Sequence, residues 1–317
     1  MLASVLQLAE AAGQFSFAST LPENAAAAPQ AARKQGIGEG LSLGLSPVRS
    51  AFDAPVCCRP AAPSTMRYLE ILASYVPQVV VRHLLDDPDA PTPSRKTLET
   101  VCMFCDVSGF TRLTERLAIT GEGAEGLKKT LNSYFGQLNR IVAGHGGDIF
   151  KFAGDAVIVL WPADEPLQLI ARRAARCALE VQAALHSDSE DSLSVKIGLG
   201  VGQAATLHVG GNNGRAECIC VGPLMAQAFA GEGHASPGDV IASKECWELI
   251  RSHFSGTVQG GGFVKIIRAR TSLKQKGLSQ KLAKRLRKAP PIVTERLEAY
   301  VPRAVLASLK GRSGGRD

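Results

Sequence analysis

Asp106 and Asp155 are the residues whose type and setting most plainly suggest chemistry. Each borders a short apolar run, 98–106 and 156–161, where a carboxylate is costly unless it is exposed or paired. If the two runs are neighbouring strands, the carboxylates converge at one end of a sheet. Such a pair is a natural Mg²⁺ site, because Mg²⁺ takes one or two carboxylates and leaves its other positions to water and phosphate oxygens. The turn Val107-Ser108-Gly109-Phe110-Thr111 follows the first strand and leads into a helix, so its backbone N–H groups can cradle phosphate. Metal and anion cradle together imply a nucleoside triphosphate. Taken singly, Asp106 reads equally as a helix cap and Asp155 as a hairpin-turn residue, so their joint occurrence carries the functional reading.

The elements that must position these residues are legible in the pattern. Leu127, Leu131, Phe135, Leu138 and Val142 recur every three or four residues and predict an amphipathic helix over 126–143, stopped by Gly144, Gly146 and Gly147. Segments 148–152 and 156–161 flank Ala153-Gly154-Asp155 as a hairpin. A long helix is expected over 167–185, strands over 195–201, 206–209 and 216–221, a short helix over 223–230, a strand over 239–242 and a last apolar run at 263–267. The order predicts an α+β fold, a ferredoxin-like sheet covered by helices. Residues 69–85 carry a helical period broken at Pro77, a lead-in to the domain.

Composition sets the outer limits. Residues 1–65 are rich in Ala, Pro, Ser and Gly without a sustained apolar period, and read as disordered. The formal charge of +7 is concentrated in 271–317, where twelve Lys and Arg stand against Glu295, Glu298 and Asp317; that tail is net +9, which leaves −2 for residues 1–270. A nucleic-acid groove in the core is therefore not expected, and the tail lacks interleaved aromatics. The organisation expected is 1–65 disordered, 66–97 helical lead-in, 98–270 the folded domain that carries both aspartates and 271–317 basic linker. No run approaches the ~20 apolar residues of a membrane span. The reading is a soluble, cytoplasmic protein, with a nuclear or organellar pool as the alternative. The eight cysteines read as free thiols; Cys102 and Cys105 form a CxxC within a strand, where residues three apart point to opposite faces. His145, His208 and His234 show no ligand spacing.

FCDVSGFTRLTE and GGDIFKFAGDAVIVLW together resemble the two signature segments of class III nucleotidyl cyclases, and within them the first catalytic domain of the soluble adenylyl cyclases. Ala73-Ser74-Tyr75-Val76-Pro77, VKIGLGVG at 195–202 and LEAYVPRAVL at 297–306 extend the resemblance from about Met66 to Lys310. It implies that Asp106 and Asp155, with the Val107 carbonyl, hold two Mg²⁺ ions (Mn²⁺ as the alternative). ATP would then be converted to 3′,5′-cyclic AMP and pyrophosphate by in-line attack, with Gly109, Phe110 and Thr111 offering backbone donors to the phosphates. Lys151 matches a lysine of the bicarbonate regulatory site in those enzymes. Its partner arginine would fall near Phe229, and no Arg or Lys occurs between Gly222 and Gly233, which counts against bicarbonate activation. The Asn and Arg that stabilise the transition state in self-sufficient members would stand near Ala226 and Ala230. The resemblance thus implies a catalytic half that needs a complementary cyclase domain, from another chain or a longer product, since the sequence reaches Asp317 soon after the tail. The alternative is a catalytically incomplete module that binds metal and nucleotide and regulates a cyclase partner.

Overall fold

The computed structural model describes residues 65–109, 119, 123–161, 164–185, 193–210, 214–272 and 280–311. The expected disordered segment up to Ser64, and the turn residues Phe110 and Thr111, lie outside the described residues, and Thr65 already belongs to a helix. Strand β1 (Ser94–Ser108) is paired on one side with β3 (Ala156–Leu160) and on the other, along its whole length, with β4 (Ser194–Gly210). With β2 (Asp148–Ala153), β6 (Val240–Ala242), β7 (Phe254–Val258) and β8 (Val264–Ala269), they form a mixed sheet in the order β2-β3-β1-β4-β6-β8-β7. A further strand, β5 (Ala216–Val221), pairs with β4 off that path. The α+β fold expected from the element order is the fold observed.

β1 is buried on both faces because helices cover both, and its alternation divides the core. Val101, Met103, Cys105 and Val107 pack with α3 (Gly123–Gly144), α4 (Leu167–Leu185) and α6 (Lys244–Ile250). Cys102 and Phe104 pack with α1 (Thr65–Ala73), α2 (Gln78–Asp86) and α5 (Pro223–Gly233). The CxxC cysteines accordingly lie in opposite cores, and burial pushes both thiols above the ordinary thiol range. The lead-in helix breaks around Pro77, as its missing N–H requires.

Four expectations change. The loop expected up to Lys96 gives way to strand at Ser94, so β1 extends beyond the apolar run: pairing with β4 needs backbone groups, which polar residues supply as well as apolar ones. The two runs at 195–201 and 206–209 are one strand that continues through Gly202 at φ 135°. Helix α6 and strand β7 stand in the interval left unassigned between 242 and 263. The region expected as a basic linker contains α7 (Gln280–Leu286), α8 (Pro291–Glu298) and α9 (Arg303–Gly311), which bury Leu282, Leu286, Val293 and Leu297 against the lead-in helices. Its apolar residues are too few per turn to stand out among the charges, and α1 and α2 supply the surface that covers them. Polar links bind the same parts: Tyr68 donates to Glu298 at 2.7 Å, Arg285 to Asp86 at 2.8 Å, and the Ala216 amide to the Ala299 carbonyl at 2.8 Å. No helix among the described residues is long and apolar enough to cross a membrane.

Where these helices meet the sheet, His83 of α2 and His208 of β4 stack at 3.8 Å with 15° between their planes, both buried. His83 Nε2 lies 3.1 Å from the Ser94 hydroxyl, and His208 Nδ1 3.1 Å from the Tyr300 hydroxyl. Burial, then the charges of Lys96 and Arg296, lower the pKa of His83, with Asp87 and Asp86 opposing. His208 is lowered to about 4 by burial and by the neighbouring His83, Lys96 and Arg296. Both rings are neutral in the fold but charge in the unfolded chain below about 6.5. The contribution of His208 is therefore complete above that pH and lost as pH falls from 6.5 toward about 4, and that of His83 is lost in the same direction. Acidification from about pH 7 to about pH 5 should change the urea midpoint less favourably in the parent than in His208→Asn, which lacks this contribution; an unchanged pH dependence in the variant would refute the assignment.

Candidate active site

The sheet brings Asp106 and Asp155 together through strand register. Cys105 pairs with Val157, so the next residues of β1 run past the β2–β3 turn, where Gly154 takes φ 72° and is followed by Asp155. A side chain other than glycine would strain that turn. On the other side, Asp106 is the cross-strand partner of Lys196, whose ammonium lies 3.7 Å from Asp106 Oδ2 and 2.7 Å from Glu232 Oε1. The Asp106 carboxyl is raised above the usual carboxylate range, first by burial, then by the negative charges of Glu232 and Asp155, with Lys196 acting against them. The Lys196 ammonium is raised, chiefly by its bond to Glu232.

Glu232 arrives from α5, which lies directly on β4. A Cβ at Gly198 would stand 1.9 Å from the Ala228 carbonyl oxygen and 2.5 Å from the Glu232 amide nitrogen; one at Gly200 would stand 2.0 Å from the Leu224 carbonyl oxygen. Glycine at these positions is required by main-chain approach, and Lys196 lies on the same face, two residues before Gly198 and four before Gly200. Lys196 and Glu232 were not foreseen from sequence. A lysine entering an otherwise apolar and glycine-rich strand was the available signal, since a partly buried ammonium favours a carboxylate partner.

The remaining candidates divide clearly. Val107 is buried and its backbone pairs with Val195; Gly109 turns the chain at φ 100°. Ser108 pairs through its backbone with Ser194, and its side chain is outside the described residues. Lys151 is not engaged by either aspartate: it donates to Glu217 at 2.9 Å. Ala226 and Ala230 lie on the exposed face of α5, while Phe229 packs edge-on against Phe104 at 4.7 Å. The Phe104–Phe229 contact therefore occupies what resemblance assigned to an arginine.

The donor set suits a hard divalent cation. Two carboxylates and a main-chain carbonyl would be oxygen ligands, and the raised pKa of Asp106 comes first from burial and then from the like charges of Glu232 and Asp155, which a cation would offset. Among the described residues no group of three or more His, Cys, Asp and Glu side chains has metal-binding geometry, so the remaining coordination positions would fall to water or phosphate.

The family model described as the adenylate and guanylate cyclase catalytic domain matches residues 94–275. Adenylate cyclase type 10 of Mus musculus is 34% identical over 185 residues, 56% of this chain and 11% of that protein. Adenylate cyclase 1 of Rhizobium meliloti (strain 1021) is 26% identical over 205 residues, 60% of this chain and 30% of that protein. The match thus spans about a tenth of the length of the mammalian relative. Among solved structures, adenylyl cyclase CyaB from P. aeruginosa is 22% identical with a TM-score of 0.49, covering 58% of this chain and all of that one.

The close approach of α5 to β4 yields a direct test. Gly198→Ala should lower stability by about 1–3 kcal/mol, the usual cost of overpacking, read from the urea midpoint. A midpoint equal to that of the parent would mean that the helix moves aside without cost.

Proposed function

Because the chain belongs to the adenylate and guanylate cyclase catalytic domain family, we propose that it is the metal-carrying half of an adenylate cyclase. In this reading it converts ATP to 3′,5′-cyclic AMP and pyrophosphate together with a second cyclase domain. The observation that carries the reading is the convergence of Asp106 and Asp155 at the end of β1, beside Lys196, on a helix α5 whose exposed face offers only methyl groups at Ala226 and Ala230. The relatives named as adenylate cyclases support ATP as the substrate.

Asp106, the Val107 carbonyl and Asp155 would hold Mg²⁺, which when bound supplies a lowered pKa for the ribose 3′-hydroxyl and charge neutralisation on the triphosphate. The chain's own residues set the geometry for an in-line displacement, in which the 3′-oxygen bonds to the α-phosphorus as the bond to pyrophosphate breaks. The two aspartates fix the reacting end of the nucleotide at the sheet terminus. Lys196 brings a permanent positive charge to the same edge. By resemblance, the backbone N–H groups at Gly109, Phe110 and Thr111 would serve the phosphates. Neither Ala226 nor Ala230 can donate a hydrogen bond to the transition state. Loss of such donors costs about 10²–10³ in rate, so the chain alone should be nearly silent. The same alanines favour one second reading, a nucleotide- and metal-binding module that regulates a cyclase partner without turnover.

Cyclic AMP formation from Mg²⁺-ATP separates the readings. Turnover is expected only when the chain is mixed with a second cyclase domain that supplies the Asn and Arg, and it should vanish with Asp155→Ala; silence in the mixture favours the regulatory module. In that active mixture, added bicarbonate should leave the rate unchanged. Lys151 already serves Glu217, and α5 carries no cation to complete an anion site. A clear rise in rate on adding bicarbonate would contradict this.

A further inference from the structure

Lys196 stands between two carboxylates and is shared unequally. Its ammonium makes a full charge-assisted bond to Glu232 at 2.7 Å, whereas the 3.7 Å to Asp106 Oδ2 is an ion-pair contact beyond hydrogen-bond length. The stronger hold thus belongs to the carboxylate that is not part of the Asp106–Asp155 pair. Lysine carries its charge on a flexible four-carbon stem, so its position depends on what anchors it. Without Glu232, the anion that remains paired with it among the described residues is Asp106. A direct bond there would occupy a carboxylate oxygen and cancel the charge that a divalent cation requires.

The geometry points to Glu232 as a positioning residue that holds Lys196 back from Asp106, so that the Asp106 carboxylate stays open to a divalent cation. This rests on the reading of Asp106 and Asp155 as the cation site. The anchor is itself fixed by the main chain. Gly231 lies with its virtual Cβ 3.3 Å from the Gly198 Cα, and the Gly198 and Gly200 contacts press the helix backbone onto β4, so Glu232 cannot follow a displaced Lys196. Among the described residues Asp106, Asp155 and Glu232 bring negative charge to this edge, and Lys196 is tied to the acid delivered by a helix rather than by the sheet. An arrangement that merely neutralised the acids would centre the ammonium among them.

Binding of Mn²⁺ to the full chain, followed by the EPR signal of the free ion, tests this with Asp155→Ala, Glu232→Gln, Lys196→Met and the Glu232→Gln/Lys196→Met double variant. Glu232→Gln should weaken Mn²⁺ binding about tenfold when Lys196 is present and by less than about twofold when it is Met, a coupling within the range for contacting charged residues. Glu232→Asp, which retains the anchor on a shorter arm, should recover part of the loss. An equal factor in both backgrounds would overturn the proposal, because Glu232 would then act only through its own charge. Mn²⁺ binding that Asp155→Ala leaves intact would instead remove the cation site, and the proposal with it, a result distinct from the first. Urea midpoints of the same variants separate loss of binding from loss of fold.

Discussion

The antiparallel ladder between β1 and β4 runs from Ser94 opposite His208 to Ser108 opposite Ser194, and a polar assembly hangs on its register at each end. At one end it sets Lys196 against Asp106. At the other it brings Ser94 and His208 to the same corner, where His83 and Tyr300 close over them. A slip of one residue would turn every side chain of a strand to the opposite face. Here that would exchange Met103 and Cys105 for Cys102 and Phe104 between two cores lined by different helices, so hydrophobic packing on both faces locks the register that the charged ends require.

The helix α5 is the second constraint. It meets β4 through glycine, backbone to backbone, and a surface built that way cannot adjust to a misplaced side chain. Glu232 is consequently carried to Lys196 with little freedom. The exposed face of the same helix carries Ala226 and Ala230, whose methyl groups cannot hydrogen-bond. One helix thereby both completes the charge pattern around Asp106 and leaves the domain dependent on a complementary surface in the proposed function.

The basic C-terminal region takes its order from burial more than from charge. Its ion pairs, Arg285 with Asp86, Arg287 with Glu70 and Lys310 with Glu298, are on the surface, where such pairs contribute about 0–1 kcal/mol. Fully burying a side chain such as Leu282, Leu286, Val293 or Leu297 contributes about 1.5–3 kcal/mol. The charges keep the outer face wet while the apolar residues tie the region to the lead-in helices.

What the amino-acid sequence determined by itself is local: the apolar strand ending in Asp106, the glycine turn before Asp155, the long amphipathic helices with their stops, and the break at Pro77. Each is a matter of period, turn chemistry or a missing N–H, and each needs only neighbours in the chain. Tertiary structure alone decided which distant residues share an environment. Lys196 and Glu232 lie 36 positions apart and His83 and His208 far more, and no period in either segment specifies the partner. The same holds for the tail, whose sparse apolar residues become a core face only when α1 and α2 cover them. Polar pairing and shared burial are properties of the folded contact surface, so they are set by strand register and helix seating rather than by any residue's immediate sequence.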